Sequence, residues 1–184
     1  MKIIVVTHPN TQRCYHLIAD SSVLANNKPF FIPDFAPAFV LHPAIAVRIN
    51  RLGKTIAPRF ASRYYQAVAA CAIVEAAGME GNPFDARHTA FDGAFFQGEF
   101  MPVESIQPRQ GLKVELFSND RPADATAIDL PLVDEVIAEV SQYFTLKMGD
   151  IIVLGSHTPG FPLAIGQHIS ATINDAPSLK MRIK

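Results

Sequence analysis

Short apolar runs separated by turn residues dominate the chain, and their spacing predicts many β-strands. Residues 39–49 predict one of them, because apolar and polar positions alternate toward its end. Prolines on both sides of residues 29–33 predict an edge strand or a loop there. Further strands are predicted over residues 2–6, 14–19, 112–117, 151–154 and 168–173.

One hairpin and two longer helices complete the predicted elements. The Ser-Asn-Asp sequence at 118–120 is typical of a hairpin turn, because Asn and Asp tolerate positive φ. Residues 60–77 are rich in helix-forming residues and end at Gly78, which favours a helix with a glycine C-cap. Asp129 can cap the second helix. Its apolar stripe comprises Leu132, Val133, Val136, Ile137, Val140 and Phe144.

The order of these elements predicts the fold class. Strands and helices do not alternate regularly, which argues against a doubly wound sheet and for a β-rich α+β fold. We expect a mixed β core with about two longer helices. The chain has 184 residues without an internal repeat or a linker, so we expect a single domain over residues 1–184.

Composition and charge limit the classes of partner that we expect for this protein. The chain carries 16 Lys and Arg against 17 Asp and Glu, so it lacks the basic surplus of a nucleic-acid-binding or membrane-surface protein. The apolar runs are too short to span a bilayer or to form a signal-peptide core. We therefore expect a cytoplasmic protein. Cys14 and Cys71 are far apart in sequence and predict no disulfide framework, and the apolar surroundings of Cys71 predict core packing.

An ordered series of short motifs resembles the fumarylacetoacetate hydrolase family. The resemblance covers about residues 28–183 and leaves 1–27 as N-terminal strands. No single motif is specific, but their order and spacing match the family closely. In chain order the motifs are PFFIP at 29–33, AVRI at 46–49, FDGAFFQG at 91–98, TLKMGD at 145–150 and GSHTPG at 155–160.

This resemblance implies a fold, a chemistry and a metal. It implies a mixed β-barrel or β-roll core, a homodimer, and a divalent cation held by two Glu of an E-x-E motif and one Asp. Family members cleave, isomerise, hydrate or decarboxylate 2-keto or enol acids. A hard cation with oxygen ligands chelates the ketone and carboxylate oxygens of such a substrate and stabilises the enolate that forms.

The sequence departs from the family pattern at the metal ligands. The alignment of residues 46–49 places His42 and Ala44 at the two Glu positions, so both carboxylates are missing. The Asp position falls either beside Glu75 or at Pro83, and neither alignment supplies an Asp. We therefore expect no intact metal site, and Mg or Mn only if the site is rebuilt. An imidazole at His42 would suit softer transition ions.

Several residues remain as candidates for the site. Glu75 is either a residual ligand and catalytic carboxylate or a solvated residue near the end of a helix. The resemblance implies that Thr158 approaches the ligand, as catalytic or substrate-binding residue. Asp92 is either a catalytic residue or a turn former. Arg48, beside the altered ligand strand, could hold a substrate carboxylate with its two-pronged guanidinium.

The glycines of the last motif and a triad alternative were also considered. Gly155 and Gly160 are candidates for the substrate-binding loop, where glycine permits tight turns. Ser156 and His157 lie near Asp150 in sequence, but adjacent side chains of an extended segment point to opposite faces. We therefore expect no hydrolase triad.

These observations predict a divergent hydrolase or isomerase of small 2-keto or enol carboxylic acids whose metal-ligand carboxylates are lost. The alternative is a catalytically inactive protein, a pseudoenzyme, that keeps the fold as a ligand-binding or interaction module. The expected partners are a small keto or enol acid and a second copy of the chain, with no nucleic acid and no membrane.

Overall fold

The computed structural model describes residues 1–7, 12–80, 85–106, 111–155 and 158–184. The described strands are β1 (Ile3–Thr7), β2 (Cys14–Ile18), β3 (Val23–Ala25), β4 (Pro29–Phe30), β5 (Ala38–Ile49), β6 (Tyr65–Ala77), β7 (Phe95–Gln97), β8 (Met101–Pro102), β9 (Leu112–Ser118), β10 (Arg121–Ile128), β11 (Ile151–Gly155), β12 (Phe161–Pro162), β13 (His168–Ile173) and β14 (Ala176–Ile183). The α-helices are α1 (Ala86–Thr89) and α2 (Leu130–Tyr143), and short 3₁₀ helices span Asp20–Ser22, Pro58–Arg63 and Val103–Ile106.

The strands form two sheets. The larger sheet has the order β2-β1-β11-β5-β6-β7-β3, with β12 beside β5 and β8 beside β6. Its β1–β11 and β3–β7 pairs are parallel and the other pairs are antiparallel. The smaller sheet has the order β10-β9-β13-β14-β4. The predicted β-rich α+β class with a mixed, curled β core is confirmed.

The central strands β5 and β6 are buried on both faces. On β5, Ile45 and Val47 contribute to the main core, which the smaller sheet and α2 complete. The alternate residues Ala44 and Ala46 face a second, smaller apolar cluster together with Cys71 of β6. The sequence of a strand that packs on both faces is a nearly continuous apolar run, without alternating polar residues.

This double burial explains why the predicted helix over residues 60–77 is wrong. A 3₁₀ helix covers Pro58–Arg63, and the remainder is the strand β6. The many alanines of this segment favour a helix in isolation, but tertiary packing overrides that weak preference. Within the described residues, α2 is the only α-helix longer than four residues, so the second longer helix is absent from that part of the chain.

The other predicted elements are confirmed. Residues 119 and 120 form the β9–β10 turn with φ values of 50° and 62°, as a tight hairpin of this kind requires. Helix α2 buries Val133, Val136, Ile137 and Val140. Asp129 stands at its N-cap position, but its side chain makes no capping hydrogen bond. The segment at 29–33 contributes β4 to the edge of the smaller sheet.

Two further expectations concern the core and the bilayer. Cys71 is fully buried, and burial raises the pKa of its thiol well above its ordinary value, as expected for core packing. No helix in the described part of the chain is long and apolar enough to cross a membrane.

Candidate functional site

The strand pairing of β5 and β6 brings His42 and Glu75 together. Val40 lies opposite Glu75 in the antiparallel ladder, and His42 lies opposite Ile73. His42 and Glu75 are therefore diagonal neighbours on one face of the sheet. The Nε2 atom of His42 lies 3.0 Å from the Oε2 atom of Glu75. The alternative that placed Glu75 near the end of a helix is wrong, because Glu75 lies on strand β6. There it is beside His42, which is predicted from the sequence to occupy the first Glu position.

The second ring nitrogen of His42 is also engaged. Its Nδ1 atom lies 3.2 Å from the carbonyl oxygen of Thr158. A carbonyl oxygen only accepts hydrogen bonds, so this contact is a hydrogen bond in the states of His42 that carry a proton on Nδ1. The Nε2 atom then faces the carboxyl group of Glu75. Both contacts are satisfied when an imidazolium faces a carboxylate, or when a neutral imidazole accepts the proton of a carboxylic acid. In either state one proton lies between Nε2 of His42 and Oε2 of Glu75.

Gly160 permits the close approach of the Thr158 segment to His42. Its φ is +68°, in the left-handed region that favours glycine. A Cβ at this position would lie 2.7 Å from Cε1 of His42 and 2.6 Å from Cγ1 of Val40. Any larger residue would therefore push the imidazole out of place.

Asp124 fixes the same segment from the smaller sheet. The hydroxyl of Thr158 donates a hydrogen bond to Oδ2 of Asp124. The other carboxylate oxygen, Oδ1, accepts from the backbone N–H of Ala125 at 2.8 Å. The register of the β9–β10 hairpin shifts between Pro122 and Asp124. Such an irregularity can re-aim a side chain, and sequence reasoning missed Asp124 because no residue pattern marks it.

The exposure of the pair differs between its members. The His42 side chain is 19% exposed, whereas that of Glu75 is 44% exposed. The imidazole thus lies behind a carboxyl group that solvent or a small ligand can reach. The carboxyl oxygen of Glu75 that does not face His42 can accept a proton from a bound molecule.

The described residues do not fit the divalent cation that the resemblance implies. Ala44, which is predicted from the sequence to occupy the second Glu position, is fully buried in the smaller apolar cluster. Both nitrogens of His42 already have partners. In the described ranges no three His, Cys, Asp or Glu side chains come close enough to hold a metal. Among the described residues, Glu75 is the carboxyl group in contact with His42, whereas a hard cation needs several oxygens.

Asp92 and Gly155 lie near the pair without a contact to it. Asp92 is exposed in the turn before β7. That turn lies at the Glu75 end of β6, because the N–H of Val74 donates to the carbonyl of Ala94. Gly155 pairs with Ala44. A Cβ there would have only ordinary contacts of 3.7 Å or more, so an added Cβ would fit at this position.

Arg48 lies away from the pair. It is six residues beyond His42 on the same face of β5, a separation of roughly 20 Å along a strand. Its guanidinium stacks 3.8 Å from the centre of the Phe100 ring, and burial lowers the pKa of Arg48. The structure therefore brings together His42, Glu75, Thr158 and Gly160 but does not bring Arg48 to them.

Three residues weighed from the sequence lie outside the described residues: Pro83, Ser156 and His157. The third member of the rejected triad, Asp150, accepts hydrogen bonds from the ammonium group and backbone N–H of Lys2. It also accepts from the backbone N–H of Lys147, so its carboxylate joins β1 to the start of β11.

Solved structures similar to this fold share it over nearly the whole chain. A fumarylpyruvate hydrolase from Pseudomonas aeruginosa, in complex with Mn²⁺ and pyruvate, has a TM-score of 0.86 and 15% identity over 100% of this chain and 89% of that chain. A 2-hydroxyhepta-2,4-diene-1,7-dioate isomerase from Mycobacterium marinum has a TM-score of 0.79 and 18% identity, covering 99% of this chain and 73% of that one.

A third similar structure is a 5-carboxymethyl-2-hydroxymuconate delta-isomerase from Mycobacterium smegmatis. It has a TM-score of 0.78 and 17% identity, and the match covers 99% of this chain and 78% of that one. No significant match was found among curated proteins. The family model for the fumarylacetoacetate hydrolase C-terminal domain matches residues 5–184, so the predicted resemblance is confirmed and the chain belongs to this family.

Proposed function

We propose that this protein is a hydrolase or isomerase of small 2-keto or enol carboxylic acids, in which the His42–Glu75 pair moves a proton. One observation carries the proposal. The imidazole of His42 is held between the Thr158 carbonyl and the Glu75 carboxyl group, with the carboxyl group on the accessible side.

The chemistry of these acids suits such a pair. A C–H bond next to a ketone is acidic, because the electron pair left by the proton moves to the carbonyl oxygen and forms an enolate. Glu75 would take this proton on Oε1, the carboxyl oxygen that does not face His42, while the contact between Oε2 and His42 holds the carboxyl group in place. Return of the proton to a different atom of the enolate completes an isomerisation, and no other reactant is consumed. A positioned base contributes about 10²–10⁴-fold to the rate of such a step.

Isomerisation is the branch of the proposal that the described side chains support best. It needs only one group that takes and returns a proton. Hydrolysis of a carbon–carbon bond needs in addition an activated water and a group that holds the enolate as it leaves. Two of the similar structures reported above are isomerases by name, which agrees with this choice.

The rival proposal is a pseudoenzyme that binds a ligand or partner without turning it over. The buried Ala44 favours it, because a fully enclosed methyl group stands where the family resemblance implies a metal-binding carboxylate. Both proposals retain the expectations of a cytoplasmic homodimer that takes a small acid and neither nucleic acid nor membrane.

An assay of purified protein separates the two proposals. Bound metal is measured first, and the ketonisation of enol oxaloacetate, its decarboxylation and the cleavage of an acylpyruvate are then followed with EDTA and with Mn²⁺. We expect protein-dependent ketonisation that EDTA leaves unchanged. Absence of all three reactions under both conditions would contradict the enzyme proposal and favour the pseudoenzyme. Turnover that requires Mn²⁺ would contradict a metal-independent pair.

A further inference from the structure

A groove with basic walls lies on the outer face of the smaller sheet. Its volume is about 610 Å³, which is in the range of small-molecule sites. Strands β13 and β14 form its floor, and Asn27 and Pro29 close one side. The charged or titratable side chains along it are Asp120, His168, Lys180, Arg182 and Lys184.

The strand register explains why the basic residues share one face. Residues 180, 182 and 184 alternate with the buried Met181 and Ile183, which face the main core. His168 lies directly opposite Arg182 in the β13–β14 ladder. Lys180 and Arg182 are therefore neighbours about 7 Å apart on the outer face, with an imidazole beside them.

Three of these basic or titratable groups form no ion pair with an acidic residue in the described part of the chain. Within the described residues, no salt bridge involves Lys180, Arg182 or His168. Asp120 is the acidic side chain among the groove residues. Lys180 and Arg182 lie about 7 Å apart on one face of the same strand, so their like charges repel each other. The whole chain has a formal charge of only −1. The groove thus has three cationic side chains, at 180, 182 and 184, against one acidic side chain, Asp120.

We propose that this groove binds a small polyanion, a molecule with two or more carboxylate or phosphate groups. Anionic groups about 7 Å apart could contact Lys180 and Arg182 at once, and the guanidinium suits carboxylate and phosphate oxygens alike. His168 and the polar Ser170, opposite Lys180, would complete the contacts. The site does not depend on the proposed reaction, because it is built from strands other than those that carry His42 and Glu75.

Thermal unfolding with and without anions tests the proposal. Citrate and tripolyphosphate are added to the protein at constant ionic strength, with acetate and NaCl as monovalent references. We expect citrate, tripolyphosphate or both to raise Tm in a saturable way, because a ligand that binds only the folded state stabilises it. The more effective of the two identifies carboxylate or phosphate as the preferred group. A shift that NaCl reproduces at equal ionic strength would overturn the proposal, since screening alone would explain it.

Variants then locate the effect. We expect Arg182→Gln and Lys180→Gln each to weaken the anion-dependent shift by at least about tenfold in concentration. The matched control Lys147→Gln, an exposed basic residue outside the groove, should leave the shift unchanged. Arg182→Gln should also raise Tm slightly without anion, because it relieves repulsion. An unchanged anion effect in both groove variants would overturn the assignment to this groove.

Discussion

The Nε2 atom of His42 and the Oε2 atom of Glu75 lie 3.0 Å apart, although 33 positions separate the residues in sequence. The contact exists because β5 and β6 pair along twelve residues of β5, with these two residues diagonal on one face. Thr158 and Gly160 approach from the chain segment after β11 and hold the other side of the ring. Two neighbouring strands and one loop thus bring an imidazole and a carboxyl group into contact at a place where the family resemblance implies a metal ligand.

Replacement of Gly160 should disturb the His42–Glu75 contact. The resulting loss of activity should exceed what the loss of stability alone would cause. Gly160→Ala places a Cβ within 2.8 Å of His42 atoms at a φ of +68°. Gly166→Ala is the matched control, because its φ of +92° is similarly unfavourable but nothing lies within 4 Å of the added Cβ. Both should lose about 1–2 kcal/mol of stability from the backbone alone.

Activity separates the two glycine variants. Proton transfer should fall sharply in Gly160→Ala, because the imidazole is displaced, and should persist in Gly166→Ala. Urea unfolding and the rate of enol ketonisation measure the two quantities. Equal activity in the two variants would show that the position of His42 does not matter.

The hydroxyl of Thr158 should act as a positioning group through Asp124. Thr158→Val keeps the shape of the side chain but removes the donor to Asp124, at a cost of about 1 kcal/mol. Thr158→Ser retains the hydroxyl. We expect slower proton transfer and a changed His42 imidazole NMR signal in Thr158→Val and in Asp124→Ala, and near-normal values in Thr158→Ser. A loss of activity without any change in the His42 signal would contradict this role.

Replacement of Ala44 by Glu, which introduces a carboxyl group at the predicted second Glu position of the family motif, should not rebuild a metal site. Ala44→Glu would bury a carboxyl group in an apolar cluster, and we expect it to lower the free energy of unfolding by several kcal/mol. The matched control is Ala38→Glu, an exposed position on the same strand, which should be tolerated. Thermal unfolding with and without Mn²⁺ provides the measurement. A stable Ala44→Glu variant that gains Mn²⁺-dependent stability would show that the site accepts a cation.

Stability should depend on pH through Asp150. Burial alone would raise the pKa of this carboxyl group, but hydrogen bonds from Lys2 and Lys147 outweigh it and the pKa is lowered. A lowered folded-state pKa stabilises the fold above the unfolded value of about 4, and this contribution is lost as pH falls through the folded-state value.

The variant Asp150→Asn tests this contribution. At pH 7 it should lower the free energy of unfolding by about 2–3 kcal/mol, because it removes charged hydrogen bonds at a nearly buried site. The difference from the unaltered protein should shrink as the pH is lowered below about 4. Denaturant unfolding at a series of pH values checks it. A difference that stays constant over this range would exclude Asp150 as the titrating group.

Most strands could be predicted from the sequence because one face of each is polar or because turn residues mark its ends. The hairpin at Asn119 and Asp120 and the apolar stripe of α2 are examples. The segment that became β6 could not be assigned, because its two faces contact two separate apolar clusters and no polar alternation remains. Its alanines then favour a helix by local preference alone.

The wrong helix prediction for residues 60–77 also prevented a prediction of the contact between His42 and Glu75. With residue 75 on a helix, Glu75 has no fixed relation to His42, whereas strand pairing makes the two neighbours. Thr158 and Gly160 were found through the family resemblance of their loop. Asp124 was not, because its contact depends on the irregular register of a hairpin and on the approach of two sheets. Long-range geometry of this kind leaves no local pattern in the sequence.

The most direct test of the His42–Glu75 pair is hydrogen exchange in D₂O. A 2-keto acid such as oxaloacetate is incubated with the metal-free protein in the presence of EDTA, and NMR follows deuterium incorporation at the carbon next to the ketone. We predict exchange faster than in buffer, reduced at least about 100-fold in Glu75→Gln and unchanged in the exposed control Glu104→Gln. Exchange that is equal in Glu75→Gln and the unaltered protein, or that appears only when Mn²⁺ is added, would contradict the account.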